Sequence, residues 1–249
     1  MKRHLPLLVP FLLLAACNKP AETPADASAM PSTDASAADS AAASDATDAT
    51  PPAETAEMGV KPNLVEGVDY VLIPNGQPLQ PLDGKVEVVE VFAYWCGHCF
   101  AFEPSIEAWK AKQPADVRFT PIPLSGGAND NMARVFYAAE STGMLDKVHN
   151  TMFTSIHQDR TLQPNASSEE IAAFLSKKGV DGKTLGDAMK SFAMTARLAQ
   201  GMQFAQRSGV EGTPTLIVNG KYRVLGKTHT EQLQITNGLI AQERAAGAQ

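Results

Sequence analysis

The residues of this chain best suited to chemistry are two cysteines two residues apart, in Cys96-Gly97-His98-Cys99. A thiolate is a nucleophile toward a disulfide, and a second thiol three positions on is close enough to attack the resulting mixed disulfide. Read as a staple, a pair at this spacing holds together almost nothing. Read as half of a zinc site, it needs two more ligands. His149, His157 and His229 are scattered along the chain and form no second ligand pair. The expectation is redox chemistry at the pair, with no cofactor and no metal.

Such a pair works only if its surroundings favour the anion. Val86-Glu87-Val88-Val89-Glu90-Val91-Phe92 is a β-branched run suited to a buried central strand, and it leads into Ala93-Tyr94-Trp95-Cys96. Residues 97–112 then show helical spacing, with Cys99, Phe102, Ile106 and Trp109 on one side and Pro114 closing the helix. This places Cys96 at a helix N-terminus, where free amides and the helix dipole favour a thiolate. Cys99 follows nearly one turn later, and His98 sits where it can favour the anion further. A stabilised thiolate stabilises the reduced form and makes the disulfide a stronger oxidant.

A second feature is Gly212-Thr213-Pro214-Thr215, directly before a strand-like run. Alone it reads as an ordinary trans proline at a strand start. Beside a Cys-x-x-Cys helix it becomes a candidate cis-proline facing the sulfurs.

The remaining pattern supplies a frame. Tyr70–Ile73 is a short strand before the turn Pro74-Asn75-Gly76, and a further strand, Val117–Thr120, is ended by prolines and Gly126-Gly127. From Asn129 to about Gly209 the spacing is helical. Met132, Val135, Phe136 and Ala139 share a face, as do Leu145, Val148, Met152, Phe153 and Ile156. A helix starts at Ser167-Ser168-Glu169-Glu170, and Leu185, Met189, Phe192, Leu198 and Met202 continue the apolar theme. Thr215–Val218 and Lys221–Val224 flank Asn219-Gly220, a strong hairpin signal. A last helix covers about 230–245. The sum is an α/β chain: a β-α-β unit, a long helical excursion, a hairpin and a helix, packed on a central mixed sheet.

The N-terminal part reads differently. Residues 1–16 carry Lys2 and Arg3, a short apolar run from Leu5 to Leu14, and small residues before Cys17. This is the pattern of an export signal, with too short an apolar run for a spanning helix. Leu14-Ala15-Ala16-Cys17 resembles the bacterial lipobox, which implies a lipidated Cys17 and a membrane anchor. Residues 17–58 are rich in Ala, Ser, Thr, Pro, Asp and Glu, with eight acidic residues against one lysine over 18–57. Such a segment forms an extended, disordered tether. Of the chain's net charge of −6, about −1 falls on residues 58–249, which argues against a nucleic-acid surface. With Cys17 modified, Cys96 and Cys99 are the remaining thiols, in the oxidising compartment that export implies.

Trp95-Cys96-Gly97-His98-Cys99 together with Gly212-Thr213-Pro214 resembles the thioredoxin superfamily. The helical excursion, the stretch from Val89 to Glu103, and Val210–Pro214 with Val218–Tyr222 resemble the DsbA family of periplasmic oxidases. The resemblance implies a thioredoxin-like fold with an inserted helical domain: first half 59–128, insertion 129–209, second half 210–249. It implies that Cys96 is the nucleophile and Cys99 the buried resolving thiol. Thr213-Pro214 becomes the loop on which an extended substrate pairs as an added strand. Glu90 and Glu103 match the family's acidic residues that move protons at Cys99. Glu103 otherwise suits a solvated helix position, whereas Glu90, inside a β-branched run, needs a reason to be buried.

The implied activity is a monomeric periplasmic thiol:disulfide oxidoreductase. It would donate the Cys96–Cys99 disulfide to exported proteins with reduced cysteines, and a DsbB-like membrane quinone reductase would reoxidise it. Gly97-His98 and Thr213 also occur in isomerases, so a reductase or isomerase on the same fold stays open. So does a non-enzymatic lipoprotein that binds Cu(I) or a partner through the thiols.

Overall fold

In the computed structural model the described residues are 59–247. The expected signal, Cys17 and the tether lie outside them. Five strands form one mixed sheet in the order β1-β5-β4-β2-β3. Its centre is β2, Val86–Phe92, buried along its whole length. β2 pairs parallel with β3, Val117–Pro123, and antiparallel with β4, Thr215–Val218. The hairpin then runs from β4 into β5, Tyr222–Val224, which carries β1, Tyr70–Leu72, on its outer side. At the hairpin turn, Asn219 and Gly220 both take positive φ (49° and 62°), as a two-residue turn between twisted strands requires.

The alternation of β2 divides the core. Val86 and Val88 pack with Phe102, Ile106 and Trp109 of helix α1 (Gly97–Lys110) and with Leu233 and Leu239 of α7 (His229–Gly247). Val89 and Val91 pack on the opposite face with Ile122, Ile217 and Phe204 of α6 (Phe192–Arg207). At the end of β2 and just past it, Phe92, Ala93, Tyr94 and both cysteines join a third cluster. That cluster is built from α2 (Asn131–Ser141), α3 (Leu145–His157), α4 (Ser168–Lys177), α5 (Gly182–Lys190) and the start of α6. All five helices lie between β3 and β4 in sequence. Helix α4 is capped by Ser167, which forms a full capping box with Glu170.

Three expectations need correction. The strand beginning at Val117 does not stop at the prolines but runs through Pro121 to Pro123. It is the sheet's edge, bonded only to β2, and an edge strand tolerates prolines because its outward N–H groups have no partner. Phe192 and Met202 do not continue an apolar face: Phe192 is 87% exposed and Met202 is also exposed. Ser191 breaks the helix between α5 and α6, so the period restarts, and α6 buries Met194, Leu198, Gly201, Phe204 and Ala205 instead. Helix α1 ends at Lys110, two residues short of the expected bound, and it holds Pro104 inside.

Candidate active site

Residue Cys96 is the N-cap of α1. Its extended backbone (φ −85°, ψ 113°) turns the side chain back over the first turn, where the sulfur accepts the Cys99 N–H at 3.4 Å. The thiol of Cys96 donates to the Thr213 carbonyl at 3.2 Å, and the Thr213-Pro214 peptide is cis. Segments 117 residues apart in sequence therefore meet at one sulfur. The two cysteines are unbridged thiols here. Cys96 is 7% exposed and Cys99 1%. Burial pushes the Cys99 thiol well above its ordinary pKa. Trp95, next to Cys96 in the chain, is half exposed. His98 is exposed and makes no hydrogen bond to the Cys96 sulfur.

Two glutamates of β2 face opposite sides and have opposite surroundings. Glu87 is fully buried, but its carboxylate accepts the N–H groups of Leu79 and Gln80 and pairs with Arg118 at 2.9 Å. Glu90 is 3% exposed and accepts no hydrogen bond from any described residue. It faces a cavity of about 700 Å³ between β2, β3, α1 and α3. Burial first, then the charges of Glu103, Glu107 and Cys96, push its pKa up to about 8, against a smaller opposing effect of Lys110. Glu103 lines the same cavity, half-buried. Glu90, Glu103 and the cysteines thus lie around the first two turns of α1.

Sequence reasoning missed His149. From α3 it reaches the Glu103 carboxylate at 3.2 Å with Nε2 and the Tyr94 hydroxyl at 2.8 Å with Nδ1. His157, the last residue of α3, stacks on Phe100 and meets the Tyr94 carbonyl at 2.8 Å. His229 stacks on Phe102. Histidines far apart in sequence therefore gather around α1. The available signal was their helical spacing: His149, Phe153 and His157 share one face of α3.

Comparison with known proteins agrees with this geometry. A family model described as a DSBA-like thioredoxin domain matches residues 87–236. The thiol:disulfide interchange protein DsbA of Pseudomonas aeruginosa is 41% identical over 185 residues, covering 72% of this chain and 86% of its own length. Its counterpart in Azotobacter vinelandii is 40% identical over a similar span. Among solved structures, the oxidoreductase DsbA from Xylella fastidiosa superposes with a TM-score of 0.70 at 38% identity, covering 73% of this chain and 98% of that one. The crystal structure of Pseudomonas aeruginosa DsbA gives the same score over 75% of this chain. The mixed sheet with five helices inserted between β3 and β4, the Cys96–Cys99 pair and these likenesses together place the chain in the DsbA-like thioredoxin domain family.

Proposed function

We propose that this chain is a periplasmic thiol:disulfide oxidoreductase that donates the Cys96–Cys99 disulfide to exported proteins. A substrate thiolate attacks the Cys96 sulfur and releases Cys99. The second substrate thiol then attacks the substrate sulfur of the mixed disulfide and releases Cys96 as a thiolate. The substrate loses two electrons and two protons, and the enzyme pair gains the two electrons. A DsbB-like quinone reductase at the membrane removes them in turn.

The observation that carries this reading is the contrast between the two sulfurs. Cys96 sits at the helix N-terminus, accepts a backbone N–H and retains some exposure, while Cys99 lies beneath it, buried. The first suits a nucleophile and stable leaving group, the second a resolving thiol. Released as an anion in a buried place, Cys99 needs a proton at once. Glu90, with a pKa near 8, holds one at neutral pH and sits by a cavity that reaches the exposed residues Glu107 and Lys110. Glu103 shapes the charge at that cavity. The Thr213 carbonyl and the loop around Pro214 offer backbone to an extended substrate.

Export fits the reading of residues 1–16, and lipidation of Cys17 with a tether over 17–58 would hold the enzyme near a membrane as a monomer. Among the described residues no helix is long and apolar enough to cross one. The test is oxidative refolding of reduced RNase. The enzyme in its disulfide form restores activity, and Cys96→Ala does not. A Cys96→Ala variant that still catalysed refolding would contradict the assignment.

A further inference from the structure

We propose that His149, supplied by the inserted helices, is a positioning residue for this reaction: it clamps Glu103 beside Glu90 and so sets how readily Glu90 exchanges its proton with Cys99. The inference rests on the reading of Glu90 given above.

The geometry fixes what the ring can do. Nε2 of His149 comes within 3.2 Å of a Glu103 carboxylate oxygen; a carboxylate only accepts, so this close polar contact is favourable when Nε2 carries a hydrogen. Burial keeps the Tyr94 phenol protonated, and its only hydrogen-bond partner among the described residues is Nδ1 of His149, at 2.8 Å. On a neutral Nε2–H ring the phenol donates to Nδ1, and on a protonated ring it accepts from Nδ1; the Nε2–H faces Glu103 in both. The rings of Phe92, Phe136 and Phe153 surround the imidazole at centroid distances of 5.1, 5.7 and 5.2 Å, which leaves it little freedom to turn. The result is an oriented chain, Tyr94 to His149 to Glu103, joining the end of β2, α3 and α1.

Other groups around Glu90 do not take over this task. On α1, Lys110 is held by Glu107 at 2.8 Å, on the cavity's outer side. Cys96 is the remaining charge from the β2–α1 junction. From α3, Asp146 and His149 line the cavity, and β3 presents only Phe119 and Pro121. Glu103 is the nearby charge with the largest effect on Glu90. Without the histidine, Glu103 turns to solvent, which relieves the like-charge repulsion and lowers the pKa of Glu90.

The experiment is a carboxyl-carbon NMR titration of Glu90 in the full folded protein, with the pH profile of substrate oxidation measured in parallel. His149→Phe should lower the Glu90 pKa by about half a unit or more and move the profile the same way. His149→Gln keeps a donor for Glu103 and should fall between wild type and His149→Phe. If His149→Phe does not fold, Tyr94→Phe removes only the hydroxyl that holds His149 and should shift Glu90 in the same direction. An unchanged Glu90 titration in the folded variants, whatever their melting temperatures, overturns the role of His149. A pH profile unchanged by Glu90→Gln would instead overturn the proton-exchange reading itself.

Discussion

At the residue scale, the site separates two thiols by position rather than by type. One residue type at the helix cap and again one turn on meets a backbone N–H in the first place and closed packing in the second. Replacing Cys99 with Ser removes the disulfide that is donated but leaves the Cys96 thiolate able to attack an oxidised substrate, expelling one substrate thiolate, with no Cys99 thiol to release the mixed disulfide that forms. Mixed disulfides with substrate then accumulate and are visible by mass spectrometry, and their absence would reassign the two sulfurs.

The same scale yields a pH prediction from Glu90. Its pKa in the folded chain, near 8, lies above the ordinary value of 4.5, so between these two pH values the folded protein holds a proton that the unfolded chain has released. Stability therefore falls as pH rises through this window. Glu90→Gln, neutral at every pH, should remove that component, and the difference in unfolding free energy between variant and wild type should grow in the variant's favour from pH 5 to pH 8. A constant difference across this window would contradict the raised pKa.

At the scale of elements, loops and caps hold the site's supports in place. At Gly220, with φ at 62°, a Cβ would lie 2.0 Å from the Gln77 carbonyl oxygen. Gly220→Ala should destabilise the protein by about 3 kcal/mol or more through strain and clash, measured by denaturant unfolding. Ser167→Ala, which removes the cap of α4, should cost about 1 kcal/mol.

Much of this scale was legible in the sequence because it is local. The run Val86–Phe92, the spacing of Cys99, Phe102, Ile106 and Trp109, the Asn-Gly turn and the helix start at Ser167-Ser168-Glu169-Glu170 each report on neighbours a few residues away. The edge position of β3 was not legible, because it depends on which strand lies beside it, and from the sequence alone its prolines look like an end. The phase break at Ser191 escaped for a related reason: the apolar count continued although the helix did not. At the site, the sulfurs and the buried Glu90 announced themselves by type and setting. His149 did not, because its partners Tyr94 and Glu103 are 55 and 46 residues away and nothing in its own segment signals them.

At the scale of the whole molecule, an acidic N-terminal stretch with a candidate lipid site at Cys17 precedes a near-neutral catalytic part in the sequence. Mass spectrometry of the mature N-terminus should find Cys17 as the first residue, carrying lipid; an unmodified Cys17 would refute the anchor. The inserted helices contribute more than bulk, since Phe92, Tyr94 and both cysteines share their core. The whole arrangement expresses itself in one quantity, the reduction potential of the Cys96–Cys99 pair. Equilibration with glutathione buffers of known ratio measures it directly. An oxidase predicts a value near that of DsbA, about −120 mV, and a value near thioredoxin's, about −270 mV, would contradict the claim that this enzyme donates disulfides.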